Sequence, residues 1–129
     1  MSRFDKYDPV SGGFRAPLAA AILVADKDKI QAVSINSSGQ VAIGGAAETA
    51  IIGVICPVRA MAAGDMIDVM THGEIADATT TAGAAFVAGA IVSVATGAST
   101  GLIASAAGKV IGRVIELNRL VIRCPVSTT

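Results

Sequence analysis

The sequence predicts an all-β fold, a small barrel or sandwich. Three observations carry this expectation. Short runs rich in Val and Ile recur along the chain. Gly or a polar turn pair stands between successive runs. No segment sustains a helical period between caps.

The elements follow in order. Residues 1–15 hold three of the four aromatics, Phe4, Tyr7 and Phe14, with Pro9 and Ser11-Gly12-Gly13 between them. They show neither a helical nor a strand period. Aromatic anchors on a Gly/Pro frame suit docking onto another surface, with folding back onto the chain's own core as the alternative. The division expected is a docking arm over 1–17 and one β-rich domain over 18–129. Leu18 to Val24 is an apolar run, and Asp26-Lys27-Asp28-Lys29 is a polar turn. Ile30 to Ile35 leads into Asn36-Ser37-Ser38-Gly39, a hairpin-type loop. Val41 and Ile43 alternate before Gly44-Gly45. Ile51 to Ile55 reads as a buried strand stopped by Pro57. Ala63-Gly64-Asp65 turns into Met66 to Met70, with Ile67 and Val69 on one face. His72-Gly73 reads as a tight reversal. Ala90–Ala95, Leu102–Ala104, Val110–Glu116 and Leu120–Pro125 complete the strands, with Leu117-Asn118 as the last turn. Ala-rich stretches near 46–50, 60–63 and 82–88 have room for a helical turn or two. A faint echo links Ile52–Ile55 to Ile111–Ile115, and Cys56-Pro57-Val58 to Cys124-Pro125-Val126. It marks either equivalent strands or chance.

Composition narrows the function classes. The 129 residues are 53% hydrophobic, 16% charged and 3% aromatic, with ten Lys+Arg against ten Asp+Glu. The length suits one domain. A basic nucleic-acid binder would carry a positive excess, so no nucleic-acid partner is expected. Apolar content this high excludes a disordered chain, and two Cys are too few for a disulfide scaffold. A monomer with zero net charge and so few charges would be poorly soluble. Much of the surface is therefore expected to be covered by other subunits.

Charge is unevenly distributed. Residues 48–77 carry Glu48, Asp65, Asp68, Glu74 and Asp77 against Arg59 alone. Residues 109–123 carry Lys109, Arg113, Arg119 and Arg123 against Glu116. These segments can pair within one chain or between neighbours. On the second alternative Asp65, Asp68, Glu74, Arg113, Arg119 and Arg123 are subunit-interface candidates. No membrane partner is expected. The most apolar part of the uncharged stretch, Ala84 to Ala95, is about 12 residues against the roughly 20 a span needs. A signal peptide fits poorly, because Asp5 and Asp8 spoil the positive leader. Asn36-Ser37-Ser38 matches a glycosylation acceptor, which matters only in a secretory setting.

No constellation supports an enzyme. On one continuous strand Asp68, His72 and Glu74 would share a face able to hold a metal, but Gly73 is expected to break that strand. Gly97-Ala98-Ser99-Thr100-Gly101 matches the nucleophile elbow, yet the only His lies upstream and no large α/β sheet stands behind it. Gly108-Lys109 lacks the Ser or Thr of a phosphate loop. Cys56 and Cys124 cannot close a zinc site; two buried free thiols or one disulfide remain open. No catalytic residue, cofactor or metal is expected.

The order of the motifs carries a resemblance. It runs Ile52-Gly53-Val54, then Ala63-Gly64-Asp65-Met66-Ile67-Asp68-Val69-Met70, then Thr71-His72-Gly73-Glu74-Ile75. Ala82-Gly83, a strand from Gly89 to Val94, Gly108-Lys109-Val110-Ile111-Gly112-Arg113-Val114 and Leu120-Val121-Ile122-Arg123 follow. This resembles the capsid decoration (cement) proteins of tailed bacteriophages, and Tyr7-Asp8-Pro9-Val10-Ser11-Gly12-Gly13-Phe14-Arg15 resembles their N-terminal arm. The resemblance implies a β-clip or β-tulip barrel, usually a homotrimer, on three-fold sites of the outer capsid surface. The partner implied is the major capsid protein. The family supplies no catalytic residues. By position, Arg3, Phe4, Tyr7, Pro9, Phe14 and Arg15 are the capsid-contact candidates. The alternatives are another phage structural part, such as a head-fibre base or head–tail component, and a small β-barrel metal-binding or enzymatic module. The uncharged stretch 78–108 departs from the family layout.

Overall fold

The computed structural model describes residues 12–97 and 100–124. Ten strands are formed among them: β1 (Gly13–Pro17), β2 (Gln31–Ile35), β3 (Val41–Ile43), β4 (Gly53–Ile55), β5 (Met66–Met70), β6 (His72–Ile75), β7 (Ile91–Ala95), β8 (Ile103–Ala104), β9 (Gly108–Glu116) and β10 (Arg119–Arg123). They make two five-stranded antiparallel sheets. Sheet one has the order β1-β5-β4-β2-β3, and sheet two β6-β10-β9-β7-β8. The domain is all-β, as the alternation and turn pattern require. Of the shapes open to the sequence, it takes that of two packed sheets.

Most strands lie where the apolar runs place them. Asn36 shapes the β2–β3 turn: its Oδ1 accepts from the amides of Ser38 and Gln40, each at 3.0 Å. Asn118 does the same work in the β9–β10 turn. It adopts a positive φ of 58° and its Oδ1 accepts the Phe86 amide at 2.9 Å. That bond fixes Phe86, which is fully buried between the sheets.

Four segments differ from expectation. Leu18 to Val24 forms isolated bridges from Leu18 and Ile22 rather than a strand. Its buried side chains cap the outside of sheet one. Gly13–Pro17, expected within the arm, is instead the edge strand β1, in register with β5 from Gly13↔Met70 to Pro17↔Met66. Ala16 is buried there. His72-Gly73 is not a reversal. β5 runs through Thr71 into β6, so one continuous segment passes from sheet one to sheet two. Of the Ala-rich stretches, a 3₁₀ turn forms only at Glu48–Ala50. The internal echo is inconsistent. It matches β4 to β9, but its two Cys-Pro pairs follow β4 and β10.

Two apolar clusters result. One lies between the sheets and joins Ala32 and Val54 of sheet one to Val92, Val94, Ile111, Val114, Leu120 and Ile122 of sheet two. The other lies on the far face of sheet one, where Val33, Val41, Ile55, Ile67 and Val69 meet Leu18 and Ile22. Alternate residues of β2 and β4 therefore point into different cores, which is why those strands read as unbroken apolar runs.

β9 fills the inter-sheet core with Ile111 and Val114, three residues apart. A strict alternation forbids that. The register between β7 and β9 slips at Val92/Ser93, leaving Ile111 as the extra residue of a bulge, and the bulge restores the phase. Gly112 follows it, and a Cβ there would lie 2.1 Å from the Val121 carbonyl oxygen. Gly112→Ala is expected to cost about 1–3 kcal/mol through overpacking. A urea melt reads this as a lower midpoint at unchanged slope. A wild-type midpoint would contradict so close an approach of β9 and β10.

Candidate functional site

The two sheets are joined unevenly. On the β2–β8 side, polar links close the gap. Thr81 Oγ1 donates to the Ile30 carbonyl at 2.7 Å and accepts the Ile103 amide at 2.8 Å. The Ala32 amide donates to the Gly101 carbonyl at 2.9 Å. On the opposite side, around β1, β5 and β6, the sheets part and leave an open groove of about 810 Å³.

The groove is built by the β5–β6 crossing. Thr71 sits at the crossing, where its hydroxyl donates to the Gly12 carbonyl at 3.1 Å and its own carbonyl accepts the Cys124 amide at 2.8 Å. Val54, Met70 and Ile75 supply apolar wall, and Gly12, Phe14 and Arg15 form one lip. Arg15 and Asp68 are register partners across β1 and β5. Arg15 Nε donates to Asp68 Oδ1 at 2.8 Å and Nη2 to Oδ2 at 3.4 Å, a bidentate pair. The hydrogen bond from Arg15 holds the Asp68 carboxyl below its ordinary value. Both side chains are largely exposed, 65% and 77%, so the pair adds little stability. On the other lip Arg119 donates to Glu74 and to Glu116. The Arg119 bond likewise lowers the Glu74 carboxyl. A smaller hollow of about 210 Å³ continues the groove past Cys56 and Asp68 to Val58, Met61 and Met66.

β1 is an edge strand, yet it is guarded against open-ended pairing. Its hydrogen bonds to β5 alternate with outward peptide groups at Arg15 and Pro17. Pro17 has no N–H, and Arg15 puts a charge on the inner face. Both are devices that blunt an edge.

The sequence candidates fall into four groups. Arg3, Phe4, Tyr7 and Pro9 lie outside the described residues, as does Ser99. Phe14 and Arg15 line the groove, with Asp68 and Glu74. Asp65 is engaged in its own turn, where its carboxylate accepts the Ala62 amide at 2.9 Å. Arg113 and Arg123 stand exposed on β9 and β10, with no ion pair among the described residues. Intramolecular pairing thus accounts for Asp68, Glu74 and Arg119 but not for Arg113 and Arg123. The groove was not legible in the sequence, because its signal is the absence of a covering strand.

Asp68, His72 and Glu74 all line the groove, but no metal-ligand cluster forms among the described residues. Asp68 belongs to sheet one and is held by Arg15, while His72 and Glu74 belong to sheet two. The two Cys are both free, and they differ: Cys124 is buried and Cys56 is exposed. Burial pushes the Cys124 thiol up to about 11, and partial desolvation, with the Asp28 charge, raises Cys56. No helix among the described residues is long and apolar enough to cross a membrane.

The architecture is similar to that of a solved protein from Mycobacterium phage Patience. The TM-score is 0.64 and the identity 20%, over 94% of this chain and 95% of that one. The chain shares its fold with a phage protein. The near-complete coverage of both chains extends the likeness to both sheets. No family model matches the sequence, and no curated protein matches it.

Two measurements check the site. Thiol titration is expected to find one reactive Cys in the native protein and two in denaturant; two fast native thiols would contradict burial of Cys124. Asp68→Asn is expected to lower the thermal midpoint slightly at neutral pH. Because the folded-state value is depressed, this contribution exists above the ordinary value of 3.8 and fades as pH falls through the lower folded-state value. A midpoint difference that stays constant down to that range would contradict the Arg15 pairing.

Proposed function

We propose that the chain is a capsid decoration (cement) protein that binds the outer surface of a phage head. In this reading it acts as a homotrimer at three-fold sites, bridges major capsid proteins and stabilises the shell without catalysis. The observation that carries it is the full-length likeness to a phage protein. The motif order and the covered-surface composition support it.

The physics of such a role needs no active site. A protein that binds assembled shell in preference to free subunits converts its binding free energy into shell stability. Many copies on a regular lattice turn modest contacts into avidity. Gly12, the residue before β1, stands on the lip of the groove. In this reading Arg3, Phe4, Tyr7, Pro9, Phe14 and Arg15 make the capsid contact, and of these Phe14 and Arg15 line the groove. An arm that orders on docking has an entropic cost, offset by its aromatic anchors.

Because β1 begins at Gly13, the informative truncation removes residues 1–11 only. The shortened protein is expected to keep its thermal midpoint and to lose most of its binding to heads, read by co-sedimentation with particles. Full occupancy by the truncated protein would sink the assignment of the arm.

A further inference from the structure

A β-sheet ends in two edges, and an edge left bare presents unpaired peptide groups to whatever lies beside it. Three of the four edges here are covered or blunted. The Ala19 amide donates to the Val41 carbonyl at 2.9 Å across the outside of β3. Thr81 bonds both backbone groups of Ile103 in β8: its amide donates to the carbonyl at 3.0 Å, and its hydroxyl accepts the amide at 2.8 Å. β1 ends in Pro17, which has no N–H. β6 is the fourth edge.

The direction of the β6 peptide groups follows from its register. The Cys124 amide donates to the Thr71 carbonyl at 2.8 Å, one step beyond the Arg123↔His72 pair. Hydrogen-bonded pairs alternate along an antiparallel ladder, so Gly73 and Ile75 also face β10. The amide and carbonyl of Glu74 and the amide of Ala76 then point away from β10, and among the described residues nothing bonds them. Both residues line the groove of about 810 Å³, within the roughly 300–1,000 Å³ of ligand sites. The shared run is as bare lower down on its β4 side, where β5 meets β4 at one register pair, Val54↔Met70.

Bare main-chain groups select a main chain. We propose that the open edge of β6 takes an extended, uncharged segment of a partner polypeptide as a further strand of sheet two, laid in the groove. Pairing at Glu74 and Ala76 supplies backbone hydrogen bonds, and alternate side chains of the incoming strand rest on Val54, Met70 and Ile75. The charged residues that line the groove are already engaged, Arg15 with Asp68 and Glu74 with Arg119, so nothing there selects a charged segment. This goes beyond the decoration reading and does not require a capsid.

The test follows amide hydrogen exchange by NMR in the full chain. In the free protein Glu74 and Ala76 are expected to exchange fast, and Gly73 and Ile75 slowly. The probe is an acetylated, amidated octapeptide of alternating Thr and Val. At saturation it is expected to slow Glu74 and Ala76 by about tenfold, the worth of one net hydrogen bond. Glu74→Pro removes the outward N–H and leaves the amides of Gly73 and Ile75 in place, whereas Glu74→Ala removes only the carboxylate. The proline variant is expected to bind the probe about tenfold more weakly than the alanine variant, with both folded by circular dichroism. If the proline unfolds β6, the probe supplies the comparison: methylation of all its amides is expected to abolish binding. Equal binding by the two folded variants, undiminished binding of the methylated probe, or a probe that leaves Glu74 and Ala76 fast would each overturn the proposal. Slow exchange of these two amides in the free chain would also overturn it. If independent of protein concentration, it assigns the edge to residues 1–11 of the same chain; if rising with concentration, to a second copy.

Discussion

The run from Met66 to Ile75 belongs to both sheets, and the rest of the fold is arranged around that fact. Thr71 is its pivot. Its hydrogen bonds reach Gly12 at the start of sheet one and Cys124 at the end of sheet two. β1 then pairs with the first half of the run and β10 with the second. The groove lies beside this crossing and is lined by residues of both sheets. At the far edge no strand is shared, and short polar links through Thr81 and Gly101 draw the sheets together.

Small residues make this geometry possible. A Cβ on Gly13 would lie 1.8 Å from the Val69 carbonyl oxygen, so β1 approaches β5 only because that position has no side chain. The scarcity of large side chains is here a condition of close backbone packing. The apolar content is divided between two thin clusters, one on each face of sheet one. Neither needs many aromatics, and Phe86 is the one aromatic fully buried among the described residues.

Much of this was legible in the sequence. The positions of β2 to β5, β7, β9 and β10 follow from apolar runs and turn residues, since those signals are local. The crossing at Thr71 was not legible. Gly73, with a φ of +146°, reads locally as a chain reversal, yet it sits inside β6. Pairing with β10 decided the matter, and pairing is not a local property. β1 was missed for a related reason: Gly-Phe-Arg-Ala-Pro has no strong period, and it is a strand only because β5 offers it an edge. Of the charged residues, the sequence identified the opposed segments correctly but could not say which charges meet. Register supplies that: Arg15 faces Asp68, while Arg113 faces Val121.

The resulting molecule carries no gathered catalytic group among its described residues. What those residues offer is surface: an open groove, and a sheet face on which Arg113 and Arg123 stand exposed. The shell-stabilising role proposed for the chain would use that surface. Imaging of the phage particle tests that role most directly. The account predicts density for both sheets on the outside of the head at the three-fold positions, in many copies per particle. Density confined to the neck or tail, or no copies on the mature head, would contradict it.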